Sequence, residues 1–133
     1  MVTNRKYNNT GYKALEVLIV EDEPDICYLL SGMLRRRNLI TSYVTSLMDA
    51  KKELSIINPD ILFIDNHLPD GLGMDFILMV KKQHPLIKIV MITAHDSKDD
   101  KTMAITHGAD YFIGKPFTTN KIMETVDSLL QAI

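Results

Sequence analysis

The sequence predicts an α/β domain, a parallel five-stranded sheet covered by helices on both faces. Three observations predict it. Five β-rich runs, EVLIV (16–20), ITSYVT (40–45), DILFI (60–64), IKIVMI (87–92) and DYFI (110–113), alternate with five runs of helical character. Strict βα alternation favours parallel pairing through crossover helices. Runs 1, 3 and 4 are nearly unbroken aliphatic residues, as strands buried on both faces are, whereas run 2 interleaves Thr, Ser and Tyr and run 5 is short.

Each element has its own justification. Residues 1–14, rich in Asn, Thr, Gly and Lys, lack the apolar content of a packed element and are expected to form a loose arm before a domain spanning 15–133. Pro24 sits where a first helical turn tolerates it, and Ile26, Leu29, Leu30, Met33 and Leu34 follow as the expected buried stripe. Arg35-Arg36-Arg37 then closes that helix with charges that suit its negative end. Ser46 and Asp49 have capping-box spacing, and Leu47, Ala50, Leu54 and Ile57 continue one face. Lys98–His107 carries few apolar residues and is expected to be the least firmly held helix. The last helix starts near Thr119 and presents Ile122, Met123, Val126, Leu129, Leu130 and Ile133. Central strands 1, 3 and 4 with edges 2 and 5 fit the order 2-1-3-4-5, a flavodoxin-like (βα)5 three-layer sandwich.

Composition narrows the function. The 133 residues suit one domain, with 46% apolar and 24% charged residues. A net charge of −2 offers no broad basic field for nucleic acid. The single cysteine, Cys27, has no internal disulfide partner and is expected to be a small buried hydrophobe. The eight methionines are expected to be mostly core filler. The first fifteen residues contain no signal-peptide core, and apolar runs such as Val17–Val20 and Ile61–Ile64 are too short to span a bilayer. A soluble protein of the reducing cytoplasm is expected.

In such a sheet, ligands bind beyond the carboxyl ends of the strands. Strand 1 runs into Glu21-Asp22-Glu23, strand 3 into Asp65, strand 4 into Thr93-Ala94 and strand 5 toward Lys115-Pro116. Any one of these has a plain structural account: a helix-dipole partner, a turn, a surface lysine. Four strand ends sending acid, acid, hydroxyl and ammonium to one rim do not. Two carboxylates about 4 Å apart repel by roughly 4 kcal/mol at an effective dielectric near 20. The cluster therefore needs a cation or a raised pKa. Oxygen ligands without a His/Cys set favour Mg²⁺, which keeps waters that a phosphoryl group can replace. Lys115 and Thr93 would supply positive charge and a hydroxyl to that group, and a carboxylate can act as nucleophile through an aspartyl-phosphate.

With these residues in view, the stretches VLIVEDEPD, DILFIDNHLPDGLG, IVMITAH and GADYFIGKPF, in this order, resemble the receiver domains of bacterial two-component response regulators over about residues 16–133. The resemblance implies that Asp65 is the phosphoacceptor, with Lys115 contacting the phosphoryl group and Thr93 moving toward it. It implies Mg²⁺ bound directly by Asp22 and Asp65, by the backbone carbonyl of His67, and through water by Glu21, where the family often has Asp. It also implies a cis peptide before Pro116 and a switch residue at Phe112, which lacks the hydroxyl of the tyrosine common there. The partners implied are a histidine kinase or phosphotransfer protein as donor and a downstream protein, with no nucleic-acid or membrane contact by this domain. A phosphorylation-dependent dimer through the fourth and fifth helices is allowed.

His67 and His95 sit two residues after Asp65 and Thr93. The resemblance gives them control over water access, and hence over phosphoform lifetime, with a pH dependence expected between about 6 and 7. As a zinc pair they lack a third soft ligand. Other classes fit less of the pattern. An interaction domain that is never phosphorylated has no need of Asp22, Asp65, Thr93 and Lys115 together. A dehalogenase-type phosphatase wants an acid where His67 stands. A flavin-binding loop after strand 1 would not be Glu-Asp-Glu, which repels phosphate. Because Ile133 ends the final helix, no output domain is expected to follow. The chain then reads as a stand-alone receiver or as one excised from a longer regulator.

Overall fold

The structure is a computed structural model that describes residues 14–133. The expected arm therefore lies outside the described residues except for Ala14, which is buried. Seven strands and five helices follow in the order β1 (Glu16–Val20), α1 (Pro24–Arg35), β2 (Ile40–Val44), α2 (Leu47–Leu54), β3 (Ile61–Ile64), β4 (His67–Leu68), β5 (Gly71–Leu72), α3 (Gly73–Gln83), β6 (Lys88–Thr93), α4 (Lys98–His107), β7 (Tyr111–Gly114) and α5 (Thr119–Ala132). Five strands form one parallel sheet in the order β2-β1-β3-β6-β7, the expected 2-1-3-4-5 order. The pair β4–β5 is a separate two-residue antiparallel hairpin around the Pro69-Asp70 turn.

Strand character follows burial. Every residue of β1 and β3 is buried, whereas β2, at the edge, has none. Alternate residues feed two cores. Leu18, Val20, Leu62, Ile64, Ile89 and Met91 meet α2 and α3 through Ala50, Leu54, Ile77 and Val80, and meet α4 through Ala104. Val17, Ile19, Ile61, Phe63, Val90 and Ile92 meet α1 and α5 through Cys27, Leu30, Leu34, Ile122, Val126 and Leu129. Burying each large aliphatic residue contributes about 1.5–3 kcal/mol, which is why the central strands are the most apolar.

The helices depart from the sequence reading at several positions. Leu29 is 49% exposed, because α1 turns Cys27, Leu30, Ser31 and Leu34 inward, and that i, i+3, i+4, i+7 face excludes position 29. Ile133 is 53% exposed, since α5 ends at Ala132. α2 stops at Leu54, although Ile57 still packs on the core from the following turn. As expected, most of the described methionines fill the core: Met33, Met74 and Met91 are buried and Met79 and Met123 pack against it, while Met48 and Met103 are exposed. Cys27 is fully buried and donates to the Glu21 carbonyl at 3.2 Å. Burial, reinforced by the Glu21 charge, pushes its thiol up to about 11.

Capping also differs from the reading. At α2, Ser46 accepts from Asp49 N, while the Asp70 carboxylate from the hairpin takes the Leu47 and Met48 amides at 2.8 and 2.9 Å. The complete capping box is at α4, where Ser97 and Asp100 each bond the other's backbone amide. Of α4's residues only Ala104 is buried, so this cap carries much of the helix's stability. Ser97→Ala is expected to cost about 1 kcal/mol, read as faster amide exchange confined to α4. The Ser97 hydrogen bonds hold the Asp100 carboxyl below its ordinary value. A depressed folded-state pKa contributes stability that is complete above the unfolded value, about 3.9, and is lost as pH falls through the folded value. Protection of α4 is therefore expected to drop below about pH 4, and in Asp100→Asn that acid step disappears.

Candidate phosphoryl-transfer site

The parallel register delivers the expected residues to one rim. One backbone bond extends the ladder beyond each strand end: Glu21 N to Val44 O at 3.0 Å, Asp65 N to Val20 O at 3.0 Å, and Lys115 N to Thr93 O at 2.9 Å. Each acid or cation is thus fixed one step past the sheet, where its side chain turns toward the crevice. Glu21, Asp22 and Asp65 each bring a carboxylate oxygen within 4.8 Å of the others. Glu21 and Asp65 are buried, while Asp22 is exposed.

Lys115 binds this cluster together. Its Nζ donates to Glu21 Oε1 at 2.7 Å and to Asp65 Oδ2 at 3.2 Å, and lies 3.7 Å from Glu23 Oε2. Burial lowers the ammonium's pKa, but the Glu21 and Asp65 carboxylates more than offset it and hold it above its usual range. Burial pushes the Glu21 carboxyl up to about 8 against the Lys115 hydrogen bond, with Asp65 adding to the rise. One ammonium does not keep all three acids ionised, in line with the raised Glu21 carboxyl. The donors are all oxygens, and one of the carboxylates opens to solvent, so the set fits a hard divalent cation that retains water.

Thr93 ends β6, fully buried, and its Oγ1 accepts from His95 N at 3.2 Å. The Lys115–Pro116 peptide is cis, as expected. Phe112 lies half-buried on β7, opposite Met91, and packs against the α2–α3 side of the core. His67 N donates to Asp65 Oδ1 at 3.3 Å. The His67 and His95 rings are stacked, with centroids 3.7 Å apart and planes inclined by 31°.

Three supporting residues escaped the sequence reading. Asn66 is buried beside Asp65; its Oδ1 accepts from Met74 N at 2.9 Å and its carbonyl from Gly73 N at 2.8 Å, locking the loop to the start of α3. Asp70 ties the hairpin to α2, as described above. Asp96 rests on Gly114, where an added Cβ would lie 2.4 Å from Oδ2, so a glycine before Lys115 lets the β6–α4 loop close on β7. Asn and Asp as capping residue types were the available signal, but their partners lie up to 23 residues away.

Comparison with known proteins decides the family. The response regulator receiver domain model matches residues 17–127. The chain belongs to this family. It is 35% identical over 116 residues to the response regulator protein PilR of Pseudomonas aeruginosa, covering 87% of this chain and 26% of that protein. It is 30% identical over 122 residues to the nitrogen assimilation regulatory protein NtrX of Azorhizobium caulinodans, covering 90% and 27%. The receiver thus spans about a quarter of these relatives. Among solved structures, the beryllofluoride-activated NtrC4 receiver domain dimer superposes with a TM-score of 0.83 at 30% identity, covering 88% of this chain and 97% of that one. The NtrX receiver domain from Brucella abortus gives 0.81 at 29% identity, covering 88% and 99%. The chain is accordingly a signalling module of two-component phosphorelay systems. Among the described residues, no helix is long and apolar enough to cross a membrane.

Proposed function

We propose that this receiver accepts a phosphoryl group on Asp65 in a Mg²⁺-dependent reaction with a histidine kinase or phosphotransfer protein of the cytoplasm. The observation that carries the reading is Lys115 bridging Glu21 and Asp65 at the rim where Asp22 also opens. An Asp65 carboxylate oxygen attacks phosphorus, the O–P bond forms as the donor's P–N bond breaks, and the leaving imidazole keeps the nitrogen electron pair and takes up a proton. Lys115 moves from pairing carboxylates to pairing a phosphoryl oxygen, and the Thr93 hydroxyl donates to another. Asp22, Asp65 and the His67 carbonyl would hold Mg²⁺ directly, and Glu21 through water. Bound there, Mg²⁺ supplies charge neutralisation for the phosphoryl oxygens. Movement of Thr93 then draws the β6–α4 loop and Phe112, changing the surface of α4, β7 and α5 that meets a downstream protein or a second receiver.

The test is intact-mass analysis after incubation with acetyl phosphate. A gain of one phosphoryl group with Mg²⁺, absent when the metal is chelated, supports the proposal. No gain either with acetyl phosphate or with a panel of phosphorylated histidine kinases would reject it in favour of an interaction domain that works without phosphorylation. The stacked His67 and His95 rings are read as one cover over Asp65, limiting water. His95→Ala is expected to shorten the phosphoform lifetime, and adding His67→Ala to it should change little more, because the first substitution already opens the pair. Equal, additive effects of the two substitutions on the decay rate would show that the rings act separately.

A further inference from the structure

We propose a second cation site at the foot of the sheet, formed by the carboxylates of Glu16 and Glu53 and the hydroxyl of Ser42, and suited to a hard divalent cation. It is separate from the Asp65 site. Glu16 opens β1 and Glu21 follows its last residue, so at about 3.3 Å per residue the two sites lie about 17 Å apart along one strand.

The register brings the donors together. Glu16 pairs with Ile40 and Leu18 with Ser42, which places Glu16 and Ser42 on the sheet face that α2 covers. There a recess of about 150 Å³ is lined by Glu16, Ile40, Thr41, Ser42, Glu53 and Ile57. Glu16 is only 9% exposed, and its Oε2 is buried with no hydrogen-bond partner. Among the described residues, no Lys, Arg or His pairs with Glu16 or Glu53. Asp60 Oδ2 accepts the Glu16 amide at 2.9 Å, and Glu53 stands in the last turn of α2, where the helix dipole is negative.

A carboxylate oxygen removed from water without a donor is unfavourable, and a cation is the partner this chemistry lacks. With only oxygen donors, the site selects the Mg²⁺ and Ca²⁺ class over zinc or copper, and the open side of the recess leaves room for the ion's waters. Closing it would tie the start of β1 to edge strand β2 and the end of α2, steadying the edge farthest from the phosphoryl chemistry.

The experiment uses amide NMR of the full chain carrying Asp22→Asn and Asp65→Asn, which removes the first site's direct carboxylate ligands. Mn²⁺ serves as the paramagnetic probe and Ca²⁺ as its competitor. The expected result is selective broadening at Thr41–Ser42 and Glu53–Ile57, reversed by Ca²⁺. Glu16→Gln or Glu53→Gln should weaken the effect by at least about tenfold, since even outer-shell changes at metal sites cost that much. Glu53→Gln, on the half-exposed helix face, keeps the test decisive should Glu16→Gln fail to fold. Broadening that spares these amides, or that survives the glutamine substitutions, overturns the proposal.

Discussion

Asp65→Asn is expected to abolish the Mg²⁺-dependent gain of a phosphoryl group, and Lys115→Ala to slow it by about 10²–10³-fold. The two outcomes differ because the residues fail differently. Asparagine keeps the shape of Asp65 but has one acceptor oxygen, so it can keep only one of the bonds from His67 N and Lys115 Nζ, and it has no carboxylate oxygen to attack phosphorus. Alanine at 115 leaves the Asp65 carboxylate in place and removes the charge that pairs with Glu21 and Asp65. Glu21 is only 2% exposed, so losing its partner also costs stability, as for other broken buried pairs. Melting curves of both variants separate that effect from catalysis. Lys115→Arg keeps the positive charge but replaces a point donor with a planar fork, and should recover stability without recovering the full rate. A Lys115→Ala rate within about threefold of the native chain would remove Lys115 from the phosphoryl-binding role.

How much of this was readable in the sequence follows from which interactions are local. The strand order was legible because it depends on burial, and burial shows in composition: β1 and β3 are continuous aliphatic runs and β2 is not. The site was legible because parallel strands deliver their carboxyl ends to one rim, so four strand-end residues could be gathered without knowing any contact. The failures arise where partners are distant or where polarity misleads. Ser31 is buried on α1 and Leu29 is exposed, because helical phase outranks residue type. The Ser46–Asp49 spacing suggested a capping box, but Asp70, brought in by the hairpin, occupies α2's first amides, and the full box formed on the helix expected to be weakest. Glu16 was read only as a strand residue; its orphaned carboxylate becomes evident once β2 and α2 are set beside it.

Gly73→Ala is expected to lower Tm by roughly 5–15 °C and to impair phosphorylation together with folding. A Cβ at this position would lie 2.4 Å from the Asp65 carbonyl oxygen and 3.2 Å from Asn66 Cα. Both obstacles are backbone, so no side-chain rotation relieves the clash, and the chain must shift where Asp65 is held. The surrounding bonds leave little slack. Gly73 N donates to the Asn66 carbonyl at 2.8 Å, Met74 N to Asn66 Oδ1 at 2.9 Å, and Asp65 N to Val20 at 3.0 Å. Displacement of the 65–66 peptide is thus passed to the Asp65 carboxylate and to the His67 carbonyl beyond it. Gly32 supplies the control. It lies within α1 with open space where its Cβ would stand, so Gly32→Ala should stabilise the chain by about 1 kcal/mol, the helix-propensity difference alone. If both substitutions instead moved Tm in the same direction, the tight packing of α3 against the acceptor loop would not be what Gly73 is there to permit. If Gly73→Ala lowered Tm yet left the phosphorylation rate of the folded fraction unchanged, the clash would be absorbed by α3 and the acceptor geometry would be independent of it.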